Sequence, residues 1–158
     1  MRDKLLIAEH RGGLLSKEDH QKLVKWGRKC SEHVLTLIDG TIDQRILNAI
    51  DIARKWEDGN VKTGEAMKAS VSAHKCAREA SNSVVIAVAR SVGHAVATAH
   101  MADHSIGAAL YALKAVKAAG NSIEEERKWQ KEELLHLPSR IVEPIQQTMK
   151  VKEKSFKI

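Results

Sequence analysis

The sequence predicts an all-α protein, a single-domain bundle of about six to seven helices around an alanine-rich central layer. Three observations lead there. Apolar residues recur at helical spacing along most of the chain, and no run alternates with period two. Residues that start and stop helices fall between those runs. Seventeen of the twenty alanines lie between Ala66 and Ala119. Helices made of so little side chain can approach to the short end of the usual spacing of about 8–10 Å, and they draw stability from close fit rather than buried area.

The first helix is expected to begin at Ser16, whose hydroxyl can cap the free amides, with Asp19 completing a capping-box variant. Leu23, Trp26, Cys30, Val34 and Leu37 then line one face until Asp39-Gly40 ends it. The second follows Thr41 or Asp43, carries Ile46, Ile50, Ala53 and Trp56 as its stripe, and stops at "EDGN". A third is capped by Thr63 and runs through "GEAMKASVSAHKCAREA". The fourth covers about 82–100 and the fifth about 105–119, with Gly120 closing the fifth. Ser122 and Glu125 form a capping box for the sixth, "IEEERKWQKEELLHL", which ends before Pro138. A seventh is expected to restart near Pro144, where a missing amide is harmless. One helical domain is expected over 1–158, its core at about 16–138, with loose ends at 1–13 and 150–158.

A chain of 158 residues buries a core without help from disulfides or metals. Cys30 and Cys76 are too sparse for a disulfide scaffold and read as reduced, buried small hydrophobes. In the opening "MRDKLLIAEHRGG" the apolar run is only four residues, too short for a secretory signal and far too short to span a bilayer. A soluble, cytoplasmic protein with no membrane partner is expected. Net charge is +6 and the isoelectric point about 9.4, yet acids are interspersed with bases through most of the chain. The densest basic stretch, "KVKEKSFKI", reads as a solvated end, and no stacking aromatics accompany the charge, so nucleic acid is not an expected partner.

Chemistry-bearing residues concentrate in "GHAVATAHMADHSIGAALYALKA", residues 93–115. His100 and His104 lie four apart, nearly on one helical face, and a helical pair of this kind is the usual way for one helix to offer two zinc ligands. A site needs at least three ligands and an oriented second shell. Asp103 points elsewhere on a continuous helix, and Met101 stands where a metalloprotease carries its glutamate. Asp103 and Ser105 are also good N-cap residues, so "HMADHS" is a natural break that separates the pair. The alternative of a metal-binding helical protein or metal-dependent hydrolase rests on His100 and His104, with His74, His94 and Asp103 as further ligands. The reading carried forward is that His74, His94, His100 and His104 fill volume among alanines, each paired because an unpartnered buried polar group costs roughly 1–3 kcal/mol. Arg127 and Gln130 interrupt the apolar stripe of the sixth helix and are candidates to join it to the histidines. No cofactor and no catalytic activity are expected: neither cysteine sits at a predicted helix N-terminus, and no glycine-framed nucleophile occurs.

The segments "ARSVGHAVATAHMADHSIGAALYALKA", "SAHKCAREA" and "ERKWQKEELLHLP" resemble a family of small all-helical immunity proteins encoded in bacterial polymorphic-toxin loci. The likeness runs from about Trp26 to Pro138, and its specificity rests on histidine and tryptophan placement. It implies a protein that binds a cognate secreted toxin and neutralises it in the producing cell, as a monomer or a homodimer. Inhibitors of nucleases are often acidic, so a basic chain of this kind faces another toxin or presents a locally acidic surface. The sixth helix offers one, with Glu124, Glu125, Glu126, Glu132 and Glu133.

Overall fold

A computed structural model describes residues 2–158; Met1 lies outside the described residues. Seven helices are present among them: α1 (Lys17–His33), α2 (Gln44–Glu57), α3 (Thr63–Glu79), α4 (Ser83–Ala97), α5 (His104–Ala118), α6 (Ile123–Leu134) and α7 (Ser139–Phe156). Short 3₁₀ turns occupy Lys4–Leu6, Glu9–Arg11 and Leu35–Leu37. The one β feature among the described residues is an isolated bridge between Ala8 and Leu15.

The alanine-rich stretch forms the centre. Helices α4 and α5 make the closest pairing in the molecule, with α3 laid against α4 and α1 across both. α4 buries Ala87, Val88, Ala89, Ser91, Val92, Ala95, Val96 and Ala97, and α5 buries Ile106, Ala108, Ala109, Leu110, Ala112, Leu113, Ala115 and Val116. A helix buried nearly all round has to be surrounded, and the bulkier helices do so. α2 closes over α3, α1 and α4, while α6 and α7 both rest on α5. Small hydroxyls stitch the close contacts. Ser91 donates to the Ala108 carbonyl at 2.7 Å and, having spent its proton there, accepts from Ser31 at 2.8 Å; Ser70 donates to the Gly93 carbonyl at 2.9 Å.

Most expected caps are observed. Ser16 accepts from the Asp19 amide, Asp43 from Arg45 and Ser122 from Glu125, and the fourth helix, for which no cap was expected, is capped by Asn82, which accepts from Val84 and Val85. Gly120 closes α5 at φ 78°, in the left-handed region that glycine adopts without strain. Four expectations change. Asp19 does not return to the Ser16 amide; it is buried and accepts from Arg140 of α7, Nε at 3.0 Å and Nη2 at 2.5 Å. Thr63 is the first residue of α3 rather than its cap, because its hydroxyl accepts instead from Trp56 Nε1 at 3.2 Å. α4 ends at Ala97, where Thr98 turns its hydroxyl back to the His94 carbonyl. Finally, α7 starts at Ser139 after Pro138, so Pro144 lies inside the helix and leaves the Arg140 carbonyl without its usual donor. Its ring is buried, which helps offset the lost bond.

The two expected ends carry structure. Leu6 and Leu15 are buried, and Arg2 forks onto Asp103 through Nε at 3.1 Å and Nη2 at 2.8 Å. Residues 150–156 are the last turns of α7. The N-terminal turns are thereby tied to the α4–α5 connection, which matters for the sites below.

Helices α1 and α2 are clamped by a buried fork. Arg28 donates Nε to Glu57 Oε2 at 2.6 Å and Nη2 to Oε1 at 2.9 Å, and also pairs with Glu32. Removing Glu57 takes away the fork and leaves the largely desolvated Arg28 with Glu32 alone. Glu57→Ala is expected to lower unfolding free energy by about 3 kcal/mol or more. Asp51→Ala, which breaks an exposed pair with Lys55, is expected to change it by less than about 0.5 kcal/mol. Urea unfolding of both variants measures the difference.

Candidate functional site

Three successive helices each contribute one imidazole, and glycines decide where the rings lie. His94 follows Gly93 on α4, and His104, Gly107 and Tyr111 share one face of α5 at spacings of three and four. A Cβ at Gly93 would meet His74 Nε2 at 2.6 Å, and one at Gly107 would meet His94 Nδ1 at 2.7 Å and Cγ at 2.8 Å. Each ring therefore occupies the volume a side chain on the next helix would take: α3 seats on α4, and α4 on α5. The ladder continues outward. His94 lies edge to face with His74 at 5.2 Å between centroids and stacks on Tyr111 at 5.3 Å, while Tyr111 meets Phe156 of α7 at 4.8 Å.

Hydrogen bonds fix the protonation pattern. Arg90 donates to His74 Nδ1 at 2.9 Å, which leaves the neutral ring's proton on Nε2. One of the His94 and His104 Nδ1 atoms donates to the other at 3.0 Å, which requires at least one of the two rings to be neutral. Burial, reinforced by Arg90, Arg78 and His104, pushes His74 down to about 4. Burial, with His104, His74, Arg90 and Lys152 around it, pushes His94 down to about 3. His104 is lowered too, chiefly by burial, against a raising effect of Asp103 and with His100, Lys152 and Arg2 adding to the depression. At neutral pH these rings carry no charge; they serve as planar packing units, two of them joined by a hydrogen bond.

Of the residues singled out from sequence, the structure brings together His74, His94 and His104. His100 sits apart in the turn after α4, where its Nδ1 accepts from Arg11 at 3.4 Å. Asp103 holds the N-cap position of α5 but spends its carboxylate on Arg2, and Ser105 donates to the Ala102 carbonyl. His100 and His104 are thus on different elements and in different company. Among the described residues no group of three or more His, Cys, Asp or Glu could hold a metal ion. The expected link from α6 to the histidines is not made. Arg127 pairs with Glu124 and Glu153. Gln130 is buried, donates Nε2 to the Ala109 carbonyl at 2.9 Å, accepts Trp26 Nε1 on its backbone carbonyl at 3.1 Å, and has no partner for Oε1. Of the acidic face, Glu126 is buried against His33, itself stacked on Trp129 at 3.7 Å, and Glu133 pairs with Lys29. Glu124, Glu125 and Glu132 are exposed.

A protein-family model described as Imm-5 like putative immunity protein matches residues 13–137. The chain belongs to that family. No curated protein and no solved structure gave a significant match. In this Imm-5 like chain the matched span takes in α1 to α6 and therefore every rung of the histidine ladder except Phe156.

Arg90, Tyr111 and Phe156 were not anticipated from the sequence. The signal that could have found the arrangement is glycine inside a helix, unfavourable by roughly 0.5–1 kcal/mol relative to alanine unless something needs the space. Two outcomes test it. Gly107→Ala is expected to destabilise by about 1–3 kcal/mol, and more than Gly93→Ala, because the atoms it strikes lie at the base of the His94 ring rather than at a ring's far end. Adding His94→Ala to Gly107→Ala should cost less than the two single changes together, as a double-mutant cycle in urea would read. The pH dependence has a definite sign. Folded values below the ordinary 6.5 mean the neutral rings' contribution is complete above pH 6.5 and is lost as pH falls toward 4. The melting temperature should fall over that window, and the fall should be shallower in His94→Gln; calorimetry at pH 7.5, 5.5 and 4.5 compares the slopes.

Proposed function

We propose that this chain binds a cognate toxin and neutralises it in the cell that makes both, by covering the toxin's working surface or locking it inactive, with no chemistry of its own. The observation that carries this reading is the match to the Imm-5 like family over residues 13–137, which supports an immunity role. The geometry supports it. The imidazoles are neutral, paired with one another or with Arg90, and packed on glycines, so they serve the interior. No helix among the described residues is long and apolar enough to cross a membrane, consistent with a cytoplasmic site of action. The proposed contact face is the exposed edge of α6, where Glu124, Glu125 and Glu132 project, Glu124 alongside Arg127, while Glu126 is buried against His33 and Glu133 pairs with Lys29.

Co-expression with the toxin domain encoded by the neighbouring reading frame tests the proposal. The chain should protect those cells and co-purify with that domain. The triple variant Glu124→Lys, Glu125→Lys, Glu132→Lys should lose about tenfold or more in affinity while remaining folded, its melting temperature lowered by about 2–4 °C because two of the lysines stand at the positive end of α6. Cells left unprotected by a folded chain would overturn the reading. Protection by a triple variant of unchanged affinity would move the contact face elsewhere.

A further inference from the structure

A cavity of about 690 Å³ lies away from the histidine ladder. Its walls come from five places: the turn Ala8–Arg11, the start of α1, the end of α2, the start of α3, and the α4–α5 connection. Three cations line it, Arg11, Lys17 and Lys62, with His10, His20 and His100, against a single carboxylate, Glu9. Six of the nine arginines pair with a carboxylate; Arg11 does not, and neither do Lys17 and Lys62 among the described residues. Their positions also run against the helix dipoles. Lys17 is the first residue of α1 and Lys62 is the N-cap of α3, ends where positive charge is unfavourable. α3 has no side-chain cap, and Gly64 faces open space, so its first amides remain available to an acceptor.

The floor is built rather than superficial. His20 is 5% exposed and stacks obliquely on Trp56 at 5.0 Å. Its Nε2 donates to the Thr98 carbonyl at 2.6 Å, and no protein group takes Nδ1. Thr63 accepts from Trp56 and so keeps its own hydroxyl proton free on the cavity wall. Burial, opposed by the hydrogen bond to Thr98 and aided by His10 and Arg11, lowers the His20 pKa; a bound anion would act in the opposite direction and favour a proton on Nδ1. Beside these polar groups stand Ala8, Val61, Ala99 and the Trp56 ring.

We propose that this cleft binds an organic phosphate of nucleotide size. Its phosphate would lie among Arg11, Lys17, Lys62 and the start of α3, and its organic part against Trp56 and Val61. Three exposed cations lining one cleft suit a multiply charged oxyanion better than one carboxylate, which a single arginine fork satisfies. The volume falls in the range of small-molecule sites and far exceeds what a bare phosphate fills. This site is independent of the toxin-binding reading.

Isothermal titration of the full chain with pyrophosphate, adenosine 5′-monophosphate, adenosine and an oligoglutamate peptide tests it. Saturable sub-millimolar binding is expected for the first two, tighter for the nucleotide, with none for adenosine. Arg11→Ala and Lys62→Ser should each weaken it about tenfold or more, and Lys128→Ala, an exposed lysine on α6, should leave it unchanged. Lys62→Ser also supplies the missing cap, so its melting temperature should rise by about 2–4 °C while binding is lost, which a merely structural lysine would not do. The His20 ring resonances should titrate at higher pH when ligand is bound. Absence of binding by pyrophosphate and nucleotide, tighter binding of the peptide, or equal losses in Lys128→Ala would overturn the proposal.

Discussion

The close approach of α3, α4 and α5 depends on one packing device: an imidazole lying where a side chain on the next helix would be. Gly93 admits His74 and Gly107 admits His94 at distances no Cβ could share. Alanine elsewhere on these helices brings the backbones near, and glycine at two points lets a planar ring pass between them. The ring then has to be neutral, since its neighbours are Arg90, Lys152 and other histidines rather than carboxylates. Packing therefore dictates protonation, and the hydrogen bond between His94 and His104 follows from it. Metal coordination asks the opposite of such rings: convergence of at least three free lone pairs on one point. Here one nitrogen of His74 is taken by Arg90, and those of His94 and His104 face each other.

How much of this the sequence disclosed depended on whether the determining contacts were local. Capping at Ser16 and Ser122 and closure at Gly120 involve residues within three or four positions, and all are legible from the chain. The break at "HMADHS" is legible for the same reason. Thr63 was misassigned because its hydroxyl answers to Trp56 on another helix, and Asp19 because Arg140 lies 121 positions away. Pro144 was read as a helix start on a local rule; the chain had already restarted at Ser139, and burial of the proline ring offsets the missing amide. For the candidate site, the histidines and glycines were both visible, but their coupling was not. It runs between helices, and periodicity along one helix cannot report which glycine on the next receives the ring.

Polar residues in the interior follow the same logic as the histidines. Ser31, Ser70 and Ser91 are small enough for an alanine layer, and each hydroxyl reaches a carbonyl or another hydroxyl across a helix pair. Gln130 is the exception. Its amide nitrogen is engaged by Ala109, which fixes the orientation, and its oxygen is left without a partner. Where an apolar residue would have been routine, Gln130 joins α6 to α5 through side chain and to α1 through backbone, so its specificity comes at the expense of one unsatisfied acceptor.

Helix dipoles separate the charges that the fold accounts for from those it does not. Glu124, Glu125 and Glu126 occupy the first turn of α6, where negative charge is favoured, and their placement needs no ligand to explain it. Lys17 and Lys62 sit at the same kind of helix end with the opposite sign. The two groups are far apart: the cleft includes His20, Glu126 binds His33, and the thirteen residue steps of α1 from one histidine to the other span about 20 Å. One end of α1 thus gathers acids that stabilise their own helix, and the other brings Lys17 and Lys62 to two helix N-termini whose first turns also carry Glu18, Asp19 and Glu65. Sequence order hid this because the cationic residues come from positions 11, 17 and 62, each with acids nearby in the chain. The cations of the cleft, around a cavity with a buried histidine on its floor, are the charges that the proposed anion would neutralise.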